Sequence, residues 1–224
     1  MNAPRATLTI LSKELRAEFR SFELLTSTIV FVLIVVFIFS YAFDPTSEGS
    51  RRFGPGLLWI ALLFAGSLML QPSFSRERVN DTLGGLRLAP IAPVAILAGK
   101  LLANLLFLLL VEAALLPVFG VLYNIPLASV AAPLALVMLM GTLGVATIGT
   151  VFSAIASHAR MRELLLPLLL LPALTPVLIA STEATAGLLA DPYEFRTPWL
   201  VILAAFDIIF LTATWLFGEY LLEE

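Results

Sequence analysis

The sequence contains no cysteine, a single histidine and few charged residues, which make up 13% of its 224 positions. Without cysteine, disulfide bonds and thiolate metal sites are excluded. A soluble domain of this length needs more polar surface than so few charges can supply. Segments of alternating polar and apolar residues, which are typical of membrane β-barrels, are also missing. The backbone of a chain this apolar can then be satisfied in lipid only by helices.

Long apolar segments are what the sequence does have. Hydrophobic residues make up 60% of the chain, and its mean hydropathy is +1.00. About 20 helical residues cross a hydrocarbon core that is roughly 30 Å thick. The sequence therefore predicts an all-α, polytopic membrane protein with a single domain over 1–224. The six predicted transmembrane helices are 25–43, 57–74, 93–122, 131–157, 164–180 and 198–218.

The distribution of Lys and Arg predicts the orientation of these spans. Ten of the thirteen basic residues lie in the N-terminal arm or near the second and fourth connections, and the other three are Arg51, Arg52 and Arg196. Basic residues mark the cytoplasmic side, so the N-terminus is predicted to be cytoplasmic, and six spans return the C-terminus to the same side. The slight net charge of −3 says little about partners. Besides the lipid bilayer and protein partners, no nucleic-acid partner is expected.

The arm before the first span has the pattern of an amphipathic helix over 7–23. Its apolar residues recur at helical spacing, with charged residues between them. Such a helix is expected to lie in the interface of the lipid bilayer. Its role is either to anchor the chain to the membrane surface or to dock a cytoplasmic partner. The apolar residues are Leu8, Leu11, Leu15, Phe19 and Phe22.

The connection over 75–92 is the longest predicted cytoplasmic segment. It reads Arg-x-x-x-Thr-Leu-x-x-Leu-x-x-x-Pro from Arg78 to Pro90, and the pair Gly99-Lys100 follows it early in the third span. This order, after an amphipathic arm and two spans, resembles the ABC-2 type permeases. The resemblance implies a coupling loop that docks an ATPase, with candidate docking residues Arg76, Glu77, Arg78, Thr82, Leu83, Leu86, Arg87 and Pro90.

Among those permeases, the chain resembles the haem exporter protein B family (CcmB-like) of cytochrome c maturation. The resemblance rests on the short length, on Lys13-Glu14-Leu15-Arg16, on the close of the first span at Phe43, and on Thr197-Pro198-Trp199 and Phe206-Asp207. It implies a bacterial inner-membrane subunit that works with a CcmA-like ATP-binding cassette subunit and a second copy of itself. Further implied partners are CcmC-, CcmD- and CcmE-like proteins, the last a periplasmic haem chaperone, with haem as possible cargo.

The chain has no phosphate-binding loop of its own. Gly99-Lys100 is followed by Leu101, and Val94 stands where such a loop needs its first glycine. The sequence therefore predicts a non-catalytic permease subunit, with ATP bound by the partner. The single histidine, His158, is interpreted as a surface residue rather than a haem ligand. No metal site or bound cofactor is predicted for this chain.

Among the polar residues inside the predicted spans, the candidates for a functional role are Asn104, Glu112 and Asp207. An acidic side chain near the bilayer centre is costly, by roughly 2.5 to 3.5 kcal/mol for Asp on insertion scales. One interpretation is a polar patch that lines a pathway or couples helix movement to ATP turnover. The other is a protonated or hydrogen-bonded carboxyl group that holds helices together.

Other features of the spans suggest how the helices pack. A column of small residues, Thr142, Ala146, Thr150 and Ala154, predicts a contact face, either within the chain or with a second copy. Three prolines, Pro167, Pro172 and Pro176, are expected to kink or interrupt the fifth span. Trp59 and Trp199 are assigned to the interfacial aromatic belt.

Three functions remain open at this point. The first is a membrane subunit of an ATP-driven complex for c-type cytochrome biogenesis, which exports haem or releases a haem-loaded periplasmic chaperone. The second is an ABC-2 type exporter of a lipid, glycan or drug, which a large cavity lined by Asn104, Glu112 and Asp207 would favour. The third is a scaffold that transports nothing and holds an assembly complex in the membrane.

Overall fold

The computed structural model describes residues 3–43, 48–74, 92–125, 127–157, 162–190 and 192–223. Its long elements are all helices, joined by short connections, with one short 3₁₀ helix at Leu127–Val130. In chain order they are α1 Ala3–Ser21, α2 Glu23–Ala42, α3 Glu48–Leu70, α4 Pro93–Leu122, α5 Ala131–Ala156, α6 Arg162–Leu188 and α7 Thr197–Glu223.

Six of these helices, α2 to α7, are long and apolar enough to cross a membrane. No strand occurs in the described ranges. The predicted fold class, an all-α polytopic membrane protein with six spans, is confirmed. The structure also places a separate amphipathic helix, α1, before the first span.

Helix α5 lies at the centre of the bundle, where it contacts α3, α4, α6 and α7. Its small residues allow this close packing. A Cβ atom on Gly141 would lie 2.2 Å from the Trp59 ring, and one on Gly149 would lie 2.1 Å from Leu70 Cδ1. Real Cβ atoms do not approach other atoms so closely, so a larger residue at either position would displace the side chain that packs against it. By contrast, α2 and α7 are the least buried spans.

Helix α3 begins at Glu48, nine residues before the predicted start at residue 57. The Gly54-Pro55-Gly56 sequence favours a break, yet Pro55 lies inside the helix. This part of α3 packs on α4, because a Cβ atom on Gly54 would lie 3.3 Å from the Phe119 ring. Tertiary contact therefore outweighs the local preference for a turn.

Helix α6 runs without interruption from Arg162 to Leu188 through all three of its prolines. The expected interruption of the fifth span is therefore not found, and the helix ends eight residues beyond the predicted limit at residue 180. Proline removes one backbone donor, and neighbouring helices in a membrane bundle can compensate for that loss. The polar extension is held inward, since Ser181 and Thr185 are fully buried.

The amphipathic helix α1 packs along the first turns of α4. Ala6 and Ile10 are buried in this contact, while Leu8 and Phe19 remain exposed. Gly99 makes the close approach possible, because a Cβ atom there would lie 2.7 Å from Ile10 Cβ and 2.9 Å from the carbonyl oxygen of Thr7. Helix α1 is thus docked on the bundle and still presents apolar side chains outward.

A buried carboxylate joins α1 to α2. Glu18 is 1% exposed, and its Oε1 accepts a hydrogen bond of 2.8 Å from the backbone N–H of Leu25. This N–H is one of the donors that the start of a helix leaves unpaired. The residue between the helices, Phe22, has a φ of 53°, a left-handed conformation that is uncommon for a large side chain. Glu18 therefore caps α2 across a sharp junction.

Candidate functional site

Lys100 lies in the second turn of α4 with its side chain fully buried. Its Nζ donates to Glu14 Oε1 of α1 at 2.8 Å and also to the carbonyl oxygen of Ser73. The ammonium group lies 4.8 Å from the centre of the Phe74 ring. A buried charge needs a partner and further hydrogen bonds. Lys100 has both, and it links three separate segments of the chain.

Asn104 continues this polar contact one turn further along α4. Its Nδ2 donates to Ser73 Oγ at 3.2 Å and to Thr150 Oγ1 of α5 at 2.9 Å. Ser153, on the same helix as Thr150, donates from Oγ to the carbonyl oxygen of Leu70 at 2.7 Å. All of these bonds connect different helices. We call Glu14, Ser73, Lys100, Asn104, Thr150 and Ser153 the base network.

The base network holds residues 70–74, the last described residues before the connection that begins at residue 75. The chain turns at Gln71 and is helical again over 72–74. Phe74 is 1% exposed, so this segment is buried as well as hydrogen-bonded. Any displacement of residue 74 would change contacts to α4 and α5, and through Lys100 to α1. The arrangement can therefore transmit movement from the connection to the bundle.

Electrostatics favour a charged Glu14 in this site. Burial alone would raise the pKa of Glu14. The Lys100 ammonium and, to a smaller extent, Lys13 hold that pKa below its usual value. Lys13 lies 3.3 Å from Glu14 Oε1 and is far more exposed than Lys100. Lys100, the buried partner, therefore contributes more to the stability of the ion pair than Lys13 does.

The predicted docking residues of the connection, from Arg76 to Pro90, lie outside the described residues, as does His158. Their assignment stays a prediction. The residues on either side of the connection, Ser73 and Lys100, do contact each other. The chain segments before and after the predicted coupling loop are therefore joined at the base network.

The predicted helix-packing face of α5 is fully buried. Thr150 meets Asn104 of α4, and Thr142 donates a hydrogen bond to Glu112 Oε1 of the same helix. Of the two contacts left open by the sequence, the structure places these threonines against α4 of the same chain. The other two members of the face are Ala146 and Ala154, each with no exposed surface.

The three intramembrane polar residues do not meet in one place. Asn104 belongs to the base network, and Glu112 is bonded to Thr142 near the middle of α4. The pocket beside Glu112 is too small to admit a water molecule, and neither Asn104 nor Asp207 lines it. Asp207 lies on α7 and faces α5 at Gly144 instead. The pocket at Glu112 is therefore not the large shared cavity that would favour a general exporter.

Several residues of the site were not singled out by the sequence pattern. Ser73 and Ser153 are ordinary small polar residues, and Lys100 was counted with the basic connection although it is buried within α4. The Gly99-Lys100 pair was the available signal: the glycine admits α1, and the lysine binds its carboxylate.

The assignment of Trp59 to the aromatic belt is wrong. Trp59 is 1% exposed, and its Nε1 donates to Thr185 Oγ1 at 3.0 Å. The glycine at 141 leaves room for the ring inside the bundle, and the indole N–H finds a buried acceptor on α6. Hydropathy alone does not distinguish an inward from an outward tryptophan.

The described residues contain no group of three or more His, Cys, Asp or Glu side chains placed to hold a metal ion. The functional groups of the base network are one ammonium, one carboxylate, an amide and hydroxyls. These groups suit structural coupling between helices.

A family model, described as CcmB protein, matches residues 5–217. The chain belongs to the CcmB protein family. The matched region includes most of α1, the whole of α2 to α6, most of α7 and the whole base network. Membership therefore extends beyond a shared hydropathy profile.

Individual relatives agree with this membership. The chain is 32% identical to Heme exporter protein B of Pseudomonas aeruginosa over 88% of each chain. It is 32% identical to the Paracoccus denitrificans protein of that name, over 89% of this chain and 90% of the relative. The Rhodobacter capsulatus protein, also 32% identical, matches over 78% of this chain and 79% of its own length. This CcmB-family chain thus aligns with most of each relative.

Proposed function

We propose that this chain is the membrane permease subunit of an ATP-driven complex that exports haem for c-type cytochrome biogenesis. Family membership and the printed names of the relatives support the haem assignment. Six membrane-length helices and the absence of a phosphate-binding loop from the sequence support a permease that draws on a partner's ATPase. We place the complex in the bacterial inner membrane, with both termini of this chain cytoplasmic.

The observation that carries the mechanism is the attachment of residues 70–74 to the bundle. In the proposal, a CcmA-like ATP-binding cassette subunit docks on residues 75–92. Two such subunits close on each other when they bind ATP. This closure pulls on the connection in both copies of the chain. Because Lys100, Asn104 and Ser153 bind the segment 70–74 just before this connection, the pull reaches α4 and α5 directly.

Helix α1 provides a second route by which the movement is transmitted. It is bound to α4 through Lys100 and to α2 through the Glu18 cap. A movement at residue 74 is therefore passed to α2 and α4 together. At the other face of the membrane, the proposed result is haem export, or release of a haem-loaded CcmE-like chaperone, with CcmC- and CcmD-like proteins completing the complex.

The test of docking introduces a negative charge at either of two leucines of the connection, Leu83 and Leu86. We expect Leu83→Asp and Leu86→Asp to abolish copurification of the ATP-binding subunit, because the partner would have to bury an unpaired carboxylate. The matched control is Tyr193→Asp, an exposed position in the short connection before α7. The control should copurify the ATPase normally. If the Leu83 and Leu86 variants still bring down the ATPase, the docking assignment is wrong.

The test of cargo measures covalently attached haem in c-type cytochromes of cells that contain only the variant. Loss of c-type cytochromes in the Leu83→Asp strain, with normal amounts of the chain in the membrane, supports the proposal. Normal cytochrome levels would instead favour an exporter of another substrate. Cytochromes lost in this strain but retained when the partner's ATPase is disabled would favour a non-transporting scaffold.

A further inference from the structure

Asp207 is a carboxyl group without a partner inside the bundle. It lies near the middle of α7, the least buried span, and is itself only 6% exposed. Its neighbours Ile208 and Ile209 point outward, with 65% and 61% of their surfaces exposed. Within the described residues, Asp207 Oδ1 has no hydrogen-bond partner. The one polar group in this part of the helix is therefore turned inward, away from the exposed apolar face.

A second buried polar atom shares this situation. Ser181 on α6 is fully buried, and its Oγ also has no partner in the described structure. Ser181 Oγ lies 2.6 Å from where a Cβ atom on Gly141 would stand, and Asp207 Oδ1 lies 3.1 Å from that position on Gly144. The two glycines are one turn apart on α5. Both oxygens therefore lie against glycine positions on the same face of α5, beside the Trp59 ring and the Val177 methyl groups.

The surroundings of Asp207 supply no charge that could stabilise an ionised carboxylate. Facing it are Gly144 from α5 and the Val177 methyl groups from α6, which touch the same glycine. From α4, the other helix packed on α7, the acidic Glu112 is bonded to Thr142. No described Lys, Arg or His forms an ion pair with Asp207. In such a site the neutral acid is strongly favoured over an isolated carboxylate.

We propose that Asp207 is a proton-binding site between α5, α6 and α7, occupied at neutral pH. The ligand is a proton rather than a metal ion, because the two unpartnered oxygens are one carboxyl and one hydroxyl. Hard metal ions take about six or more oxygen ligands. The proton keeps α7 packed on α5, and its release would place an uncompensated charge against the glycine positions of α5. This site does not depend on the function proposed above.

The test is carbon-13 NMR of the chain in lipid bilayers, with the aspartate side-chain carboxyl group labelled. The other aspartates, Asp44, Asp81 and Asp191, lie between predicted spans in the sequence. At neutral pH we expect one carboxyl signal at the position of a protonated acid and loss of that signal in Asp207→Asn. The matched control, Asp191→Asn, should keep it.

Two results would overturn the proposal. One is a wild-type spectrum in which every aspartate is ionised at neutral pH, which needs no variant to interpret. The other is a protonated signal that persists in Asp207→Asn or disappears in Asp191→Asn. Neither readout involves haem, a partner or ATP, so its failure is distinct from failure of the proposed function.

Discussion

The base network and the Asp207 site both bury polar side chains, but they satisfy them in opposite ways. In the base network, Lys100 is fully buried and finds a carboxylate, a carbonyl oxygen and an aromatic ring. In the Asp207 site, a carboxyl oxygen and the Ser181 hydroxyl lie against glycine positions of α5 and have no hydrogen-bond partner among the described residues. One site is built for a charge and the other tolerates only a neutral group.

The positions of the two sites explain this difference. The base network lies in the first turns of α4, where α1 and the end of α3 bring polar groups from outside the spans. Asp207 lies in the middle of α7, where apolar helices are the neighbours. Buried polar groups therefore mark the proposed coupling site where hydrogen-bond partners converge, and the proposed proton site where they do not.

The largest expected effect comes from breaking the charge in the base network. Lys100→Met should lower the free energy of unfolding by about 3 kcal/mol, the low end for a broken buried ion pair, since it leaves the partly buried Glu14 without its main ammonium partner. The measurement is the thermal unfolding midpoint in detergent. Lys13→Met is the matched control, because Lys13 also contacts Glu14 but is largely exposed, and it should cost less than about 1 kcal/mol. Equal losses in both variants would contradict the buried role of Lys100.

Acid should weaken the same ion pair without mutation. The pKa of Glu14 in the folded chain lies below its ordinary value of 4.5, so its contribution to stability is present above that value and is lost as pH falls through the folded pKa. We expect wild-type unfolding midpoints to drop over this acidic range. In Glu14→Gln that part of the pH dependence should vanish. Parallel pH profiles for the two proteins would show that Glu14 is not the group responsible.

A middle-sized effect is expected where α1 docks on α4. Gly99→Ala places a Cβ atom against Ile10 and the Thr7 carbonyl oxygen, and such overpacking costs about 1 to 3 kcal/mol. Helix α1 should become accessible to protease while the spans stay folded. Gly56→Ala is the control, since its Cβ atom would lie 3.8 Å from Thr182, an ordinary contact. A protected α1 in the Gly99 variant would contradict the docking.

A smaller effect is expected from the neutral part of the base network. Asn104→Ala removes the bonds to Ser73 and Thr150, and interhelical hydrogen bonds in membranes average about 0.6 kcal/mol, with a maximum near 1.7. Thr175→Ala, which loses only a bond within α6, is the control for unfolding. Asn104→Ala should also lower ATP-dependent cytochrome maturation more than stability alone explains. Unchanged maturation would remove Asn104 from the coupling route.

The smallest effect is expected at Asp207. Asparagine is neutral and nearly the same size as a protonated aspartate, so Asp207→Asn should leave the unfolding midpoint at neutral pH close to that of the wild type. Asp207→Ala should lower it, since a cavity forms beside Gly144. A large loss in the asparagine variant would mean that the carboxylate is charged. That outcome would remove the contrast with the base network.

The sequence predicted the spans because hydropathy is a local property. Windows of about 20 residues are enough to reveal the six apolar segments, the uneven distribution of Lys and Arg, and the amphipathic arm. The family could also be inferred, because the Gly99-Lys100 pair and the Phe206-Asp207 pair stand at recognisable places in this order. These features determined the fold class and the candidate coupling segment.

Only the tertiary structure decided which polar groups meet. Lys100 and Glu14 are 86 positions apart, and Asn104 and Thr150 are 46 apart, so no periodicity connects them. The inward turn of Trp59 and the early start of α3 likewise depend on what packs against them. Sequence composition sets where the chain crosses the membrane, whereas the pairing of buried charges is set by packing, because a buried polar group is stable only beside its partner.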